Sequence, residues 1–251
     1  MGLYKKGAVV AKTGFVLEAP EGTSPMEASE FHKVTNWLTF GADEYSLALA
    51  TPTFKIDEKT ITIPQPATQA KVEKAISDAG IDLNDVIVQV DTKITLWAIR
   101  DMVVTGGTKV DKVWRHAYLV SREDLPKAGG DDPETESIGT WQIEVMDTVE
   151  TKAATSTWEF TAQELSPAAL GDYYGGGTAG TGYFDIPSAS APKRKALMVV
   201  MQGNGKSAGV AYRSVSVSRN GGIEPQTDKY IKVPLKATIN TTPSGTGRWY
   251  F

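Results

Sequence analysis

The sequence has no cysteine. That absence excludes disulfides, thiolate metal sites and cysteine nucleophiles together. Histidine is scarce, with only His32 and His116. No segment approaches the roughly 20 consecutive apolar residues of a membrane-spanning helix. The opening MGLYKKGAVVAKTG has two lysines but lacks the apolar stretch of a secretion signal. Lys6 stands where a myristoylation site needs Ser or Thr. The expected setting is therefore a cytoplasm, or a larger assembly built there, with no membrane partner. A dominant charge is missing too. Against 26 Lys and Arg stand 30 Asp and Glu, a net charge of −4, which gives no general attraction to nucleic acid or anionic lipid.

What is present is β-forming sequence. The 24 glycines and 13 prolines are spread along the chain. Between them lie short alternating segments rich in Val, Ile, Thr and aromatics, which predict a mainly β fold. The clearest strand is YIKVPLKATI, with Val233, Leu235 and Ala237 on one face and Lys232, Lys236 and Thr238 on the other. Pro234 cannot donate to a ladder, so this strand is expected at an edge or at a bulge. Lys232 and Lys236 would then guard that edge. RSVSVSRN directs Val215 and Val217 inward. DEKTITI, DVIVQV, TKITLWAI, KVWRHAYLV, GTWQIEVMDT and STWEFTA are further strands, and DMVVTGGTKV predicts a hairpin at Gly106-Gly107. One helix is expected in ATQAKVEKAISDAGI, capped by Thr68 and stopped at Gly80. A second lies in SPMEASEFHKVTNWL, with Ser24 as cap. No composition break marks a boundary, so 1–251 reads as one domain with extended loops at 122–139 and 170–195.

Several stretches suggest chemistry. Gly205-Lys206-Ser207 ends like a phosphate-binding loop, but Val200 stands at the first glycine position and a strand follows where a helix is needed. QGNGKSAG therefore reads as a hairpin turn. Gly175, Gly177 and Gly180 have dinucleotide-fingerprint spacing, without the flanking βαβ unit. His116 sits in an aromatic stripe and reads as a packed, hydrogen-bonded residue. Asp131, Asp132, Glu134 and Glu136 lack the spacing of a calcium loop. There is no G-x-S-x-G elbow. No cofactor, metal or catalytic residue is expected, and the chain reads as a non-enzyme. Trp37, Trp97, Trp114, Trp141, Trp158 and Trp249 fit a core or interface, or a sugar-binding platform.

The run from KALMVVM through QGNGKSAG, VAYRSVSVSRN and GGIEPQTDK to YIKVPLKATI resembles the end of major tail (tail tube) proteins of long-tailed bacteriophages. The resemblance covers about residues 193–239. It implies an antiparallel β-sandwich or β-barrel with one or two short helices and no catalytic residues. It further implies self-assembly into stacked hexameric rings with other tail proteins, forming a virion conduit through which DNA passes without specific binding. On that reading Asp131, Asp132, Glu134 and Glu136 meet Lys193, Arg194 and Lys195 of a neighbouring copy. Trp249 either folds back or docks on a neighbour. The alternatives are another virion structural protein, such as a decoration or connector, or a carbohydrate-binding β module. A β-rich hydrolase ranks last.

Overall fold

The computed structural model describes residues 13–34, 36–99, 102–121, 123–138, 147–203, 205–227 and 229–251. The fold is mainly β and antiparallel, as expected. Where the sequence reading had one domain over 1–251, the chain packs as two compact units. One comprises Met1–Met26 and Ala117–Phe251, the other Glu27–His116. Each has its own apolar core. No shift in composition accompanies the boundary, because both units draw on the same alternating, Gly- and Pro-punctuated sequence.

β1 (Thr13–Ala19) belongs to the larger unit. The smaller unit starts with two short helices, α1 (Ala28–Phe31) and α2 (Trp37–Gly41). The expected Ser24 cap is not used. Glu27 and Glu30 form a capping box on α1, and Asn36 accepts the Leu38 and Thr39 amides to cap α2. Trp37 is fully buried between Phe31 and Phe40. β2 (Asp43–Leu47), β3 (Thr53–Ile56) and β4 (Lys59–Thr62) follow, then α3 (Gln69–Asp78). α3 is the predicted helix. Thr68 occupies its N-cap without a side-chain bond, and Gly80 ends it with φ 73°. Its spacing places Val72 and Ile76 on one face, both fully buried. Gln69 pins it to β5 (Val86–Val90) by accepting from the Val90 amide at 3.0 Å and donating to the Val88 carbonyl at 2.8 Å.

β6 (Ile94–Ala98), β7 (Val104–Thr105) and β8 (Thr108–Val110) complete two sheets, β5-β6-β2-β8 and β4-β3-β7. The expected hairpin at Gly106-Gly107 is not formed. β7 pairs with β3 and β8 with β2, so the glycines carry the chain from one sheet to the other. Gly106 has φ 95°, and a Cβ on Gly107 would stand 3.0 Å from Leu47. His116, in β9 (Arg115–Tyr118), donates from Nε2 to the Leu38 carbonyl at 2.7 Å. The packed histidine is as expected. The alternating stripe is not, since Ala117 and Tyr118 are both buried.

The larger unit continues with β10 (Lys127–Asp131), β11 (Glu134–Ile138), β12 (Asp147–Lys152) and β13 (Thr155–Ala162). Then come α4 (Pro167–Tyr173), β14 (Thr178–Gly180), β15 (Tyr183–Asp185), β16 (Lys193–Gly203), β17 (Lys206–Arg219), β18 (Val233–Ile239) and β19 (Gly247–Tyr250). The main sheet runs β10-β13-β18-β17-β16-β1-β9, with β19 also on β17. Residues 119–121, just beyond β9, pair with residues 161–163. Val120 bridges Ala162, Ser121 N–H donates to Thr161 at 2.9 Å, and Gln163 N–H donates to Leu119 at 2.8 Å. The sheet thus closes on itself as a barrel. Its interior collects Val16, Trp158, Phe160, Leu197, Val199, Val215, Val217, Val233, Leu235 and Ala237, together with Ala169 and Tyr173 of α4.

QGNGKSAG is the hairpin turn the sequence indicated. Gly203 pairs with Lys206, and Gly205 adopts φ 71°. The edge assignment of β18 is corrected, because this strand pairs with β13 on one side and β17 on the other. Pro234 fits inside the sheet because it stands where the β17 ladder ends. Its carbonyl accepts the Asn220 amide at 3.0 Å, and only the last possible donor is missing. The expected loops also contain regular structure. β10 and β11 lie in 122–139, and the end of α4, β14 and β15 lie in 170–195. Most of GTWQIEVMDT, Trp141 included, falls outside the described residues.

Two outcomes test this packing. Leu235→Ala, at a fully buried position, lowers stability by about 2–5 kcal/mol in a denaturant titration, whereas Lys236→Ala next to it changes it by about 0.5 kcal/mol or less. Burial outweighs the Leu38 hydrogen bond and lowers the His116 pKa from its ordinary 6.5. The folded state therefore favours the neutral ring. This contribution to stability is complete above pH 6.5 and is lost as pH falls through the lowered folded value. NMR titration of the His116 ring should give a midpoint below 6.5.

Candidate assembly surface

The residues singled out from the sequence divide into an exposed acidic stretch, a buried charge cluster and the C-terminal strand. Asp131 ends β10, and Asp132, Glu134 and Glu136 follow; all four are exposed. β10 pairs with β13 from Lys127 opposite Glu159 to Asp131 opposite Thr155. It ends the strand order, and its outer edge meets no other strand among the described residues. All five of its residues, KAGGD, are exposed. Gly129 and Gly130 leave that backbone nearly bare. From Asp131 through Lys152, spanning β11 and β12, seven carboxylates stand against the single Lys152, a net charge of −6. The rest of the chain is thus slightly basic.

The three basic residues expected to face a neighbour do not act alike. Lys193 and Arg194 are exposed at the start of β16, and Arg194 lies 4.0 Å from Glu21. Lys195 is turned inward. Its Nζ lies 2.5 Å from Glu18 Oε2 and 2.6 Å from Asp172 Oδ2. The Tyr118 hydroxyl donates to the same Asp172 oxygen. Lys195 is therefore satisfied within its own chain, which removes it from the exposed basic set. It reaches β1 through Glu18 and α4 through Asp172, beside the register shift between Lys195 and Leu197 that breaks the strand's strict alternation. Burial opposes charge on its amine, but the Glu18 and Asp172 carboxylates more than compensate and raise its pKa. Burial, followed by the Asp172 charge, pushes the Tyr118 hydroxyl well above its usual value.

Sequence reasoning missed this cluster because its members come from β1, β9, α4 and β16. One local signal was available. Ser166-Pro167 is a helix start, and Ser166 Oγ accepts the Ala169 amide at 3.2 Å to cap α4, which carries Asp172. The glycines after α4 serve packing. A Cβ on Gly175 would stand 2.9 Å from the Ala191 amide, and Phe184 covers Gly177.

Lys232 pairs with Asp124 at 2.7 Å. Lys236 is half-buried on β18, opposite Glu159 and Ser218. Neither lies on an open edge, which corrects their assignment as edge guards. The C-terminus folds back on its own sheet. Trp249 is opposite Val210 and Tyr250 opposite Gly209 of β17, and the Tyr250 hydroxyl donates to the Met26 carbonyl at 2.9 Å. Trp249 remains 53% exposed, with its ring 6.1 Å from that of Trp158, and Phe251 is 85% exposed. Trp37, Trp114 and Trp158 are buried, which leaves the sugar-platform reading without half of its six tryptophans.

A profile described as "Phage tail tube protein" matches residues 102–251, more than half of the sequence. The chain belongs to this family. No curated protein matches it. A phage tail tube protein is a structural component of the virion tail and not an enzyme. The match spans β7 through β19, nearly all of the barrel unit with the last two strands of the smaller one, and leaves out β1 and most of the smaller unit. The tail tube assignment thus rests mainly on the barrel unit. Among the described residues no helix is long and apolar enough to cross a membrane.

Truncation of the buried cation tests the internal cluster of this tail tube protein. Lys195→Ala leaves Glu18 and Asp172 without their shared cation and lowers stability by about 3–5 kcal/mol, read from the denaturant midpoint. Arg194→Ala, at the exposed neighbouring position, shifts it by about 0.5 kcal/mol or less.

Proposed function

We propose that the chain is the repeating subunit of a tail tube, assembled in the host cytoplasm into stacked hexameric rings around a conduit for DNA. The observation that carries this reading is the open edge of β10 beside the acidic stretch 131–152, in a chain of the tail tube family. A strand with one unpaired edge and little side-chain cover is a template for a neighbouring copy. A closed barrel supplies the rigid body to which such an edge belongs. The exposed carboxylates Asp131, Asp132, Glu134 and Glu136 meet Lys193 and Arg194 of the next subunit. This contact sets which neighbour binds and in what register. The excess of negative charge left by the other acidic residues disfavours contacts with the DNA backbone. A wall of Lys and Arg would instead hold phosphates tightly and in a salt-dependent way. The end of the C-terminal strand suits contact with other tail proteins, since Trp249 and Phe251 present apolar surface there.

Electron microscopy and light scattering over a concentration series test the assembly. Six-fold rings or hollow tubes are expected, and particles of any other symmetry overturn the hexamer. Reversing Asp131, Asp132, Glu134 and Glu136 to lysine should raise the concentration needed for assembly by about tenfold or more while the circular dichroism spectrum stays unchanged, in line with the several kcal/mol of like-charge juxtaposition. Assembly at the original concentration removes the proposed charge contact.

A further inference from the structure

The Lys195 cluster has more than an ion pair requires. One amine meets two carboxylates, at 2.5 Å and 2.6 Å, and the Tyr118 hydroxyl donates to the nearer-buried of them. Asp172 is 1% exposed and Tyr118 4%. Glu18 is the most accessible of the acidic groups, with 30% side-chain exposure. Phe160 stacks on Tyr118 with ring centroids 5.5 Å apart and an interplanar angle of 27°, walling one side of the cluster with apolar surface. An ammonium and a carboxylate held this way carry a desolvation cost of several kcal/mol per ion. One reaction between them removes both charges, because an amine and a carboxyl condense to an amide.

We propose that Lys195 and Asp172 form an intramolecular isopeptide bond, with Glu18 as the proton carrier. Glu18 accepts a proton from the Lys195 ammonium. The free amine then attacks Cγ of Asp172, forming the C–N bond. The Tyr118 hydroxyl hydrogen-bonds the Asp172 oxygen on which negative charge builds in the tetrahedral intermediate. Collapse breaks one C–O bond. The departing oxygen takes the proton held by Glu18 and a second proton from the nitrogen, and leaves as water. An ammonium and a carboxylate become a secondary amide and one water, and Glu18 returns to its starting state. No oxidant, reductant or other reactant enters.

Position supplies the rate. The amine and the carboxyl are already in van der Waals contact inside a fixed frame, and well-oriented intramolecular reactions reach effective molarities of about 10⁵–10⁸ M. The resting amine holds its proton firmly between two carboxylates, so the reaction waits on Glu18 and proceeds after folding, not during it. The bond would tie α4 to β16 and close the segment from residue 172 to 195 into a covalent loop. The glycine-rich run from Gly175 to Gly182 would then be anchored at both ends.

Intact-mass spectrometry of the full-length protein under denaturing conditions, fresh and after prolonged incubation, tests the proposal. The expected mass is lower than the sequence mass by one water, and proteolysis should yield a branched peptide joining Asp172 to Lys195. Lys195→Arg and Glu18→Gln should both restore the full mass. Asp172→Asn should form the same bond with loss of ammonia in place of water. A wild-type chain that keeps its full mass after incubation overturns the proposal. So does a water-lighter chain with no branched peptide, which would place the loss elsewhere.

Discussion

The backbone bonds between residues 119–121 and 161–163 join the two ends of the main sheet, and the barrel unit depends on them. An open sheet would leave two unpaired edges and an interior accessible from one side. Closure puts the inward faces of β13, β18, β17, β16 and β1 around a common core. It also holds every strand in register. A slip of β18 by one residue would exchange Leu235 for Lys236 in that core, a cost no closed barrel of this size can absorb. Closure leaves β10 with an outer edge that pairs with no other strand among the described residues. The same bonds that complete the subunit therefore define where it can be extended.

Charge is sorted by the same geometry. Lys193 and Arg194 are exposed at the start of β16, while Lys195 is directed toward Glu18 and Asp172. A run of three basic residues thus serves two purposes, and the inward member links elements that are distant in sequence. The acidic excess, by contrast, is confined in the sequence to one stretch, in which Asp131, Asp132, Glu134 and Glu136 are exposed. Segregating the charges lets a nearly neutral chain present a strongly acidic surface locally while its core stays electrically satisfied. In a tail tube protein this separates the forces that hold the subunit together from those that govern its contacts.

Much of the barrel was legible in the sequence. The alternation of β17 and β18, the hairpin turn in QGNGKSAG and α3 all follow from local rules, in which side-chain period and turn chemistry act over a few residues. The readings that failed share a different character. Pro234 points to an edge or a bulge, a sound inference for one strand in isolation. Whether its missing donor matters depends on where the β17 ladder stops, which is a property of the pair. Gly106-Gly107 was taken for a hairpin because a sequence carries no sign of which sheet each flanking strand will join. The Ser24 cap lost to Glu27 and Asn36 because several capping residues compete within a few positions, and the packing of Phe31 and Trp37 selects among them.

Composition and pattern by themselves determined that this chain is mainly β, that it has no thiol chemistry and that QGNGKSAG is a hairpin turn, because each conclusion concerns residues within one or two elements. The tertiary structure alone decided the closure of the sheet, the division into two cores, the inward turn of Lys195 and the meeting of Glu18, Tyr118 and Asp172 around it. Those features depend on contacts between segments tens to hundreds of residues apart. Such contacts form only when the entropy lost in closing the intervening chain is offset by burial and pairing across the whole unit.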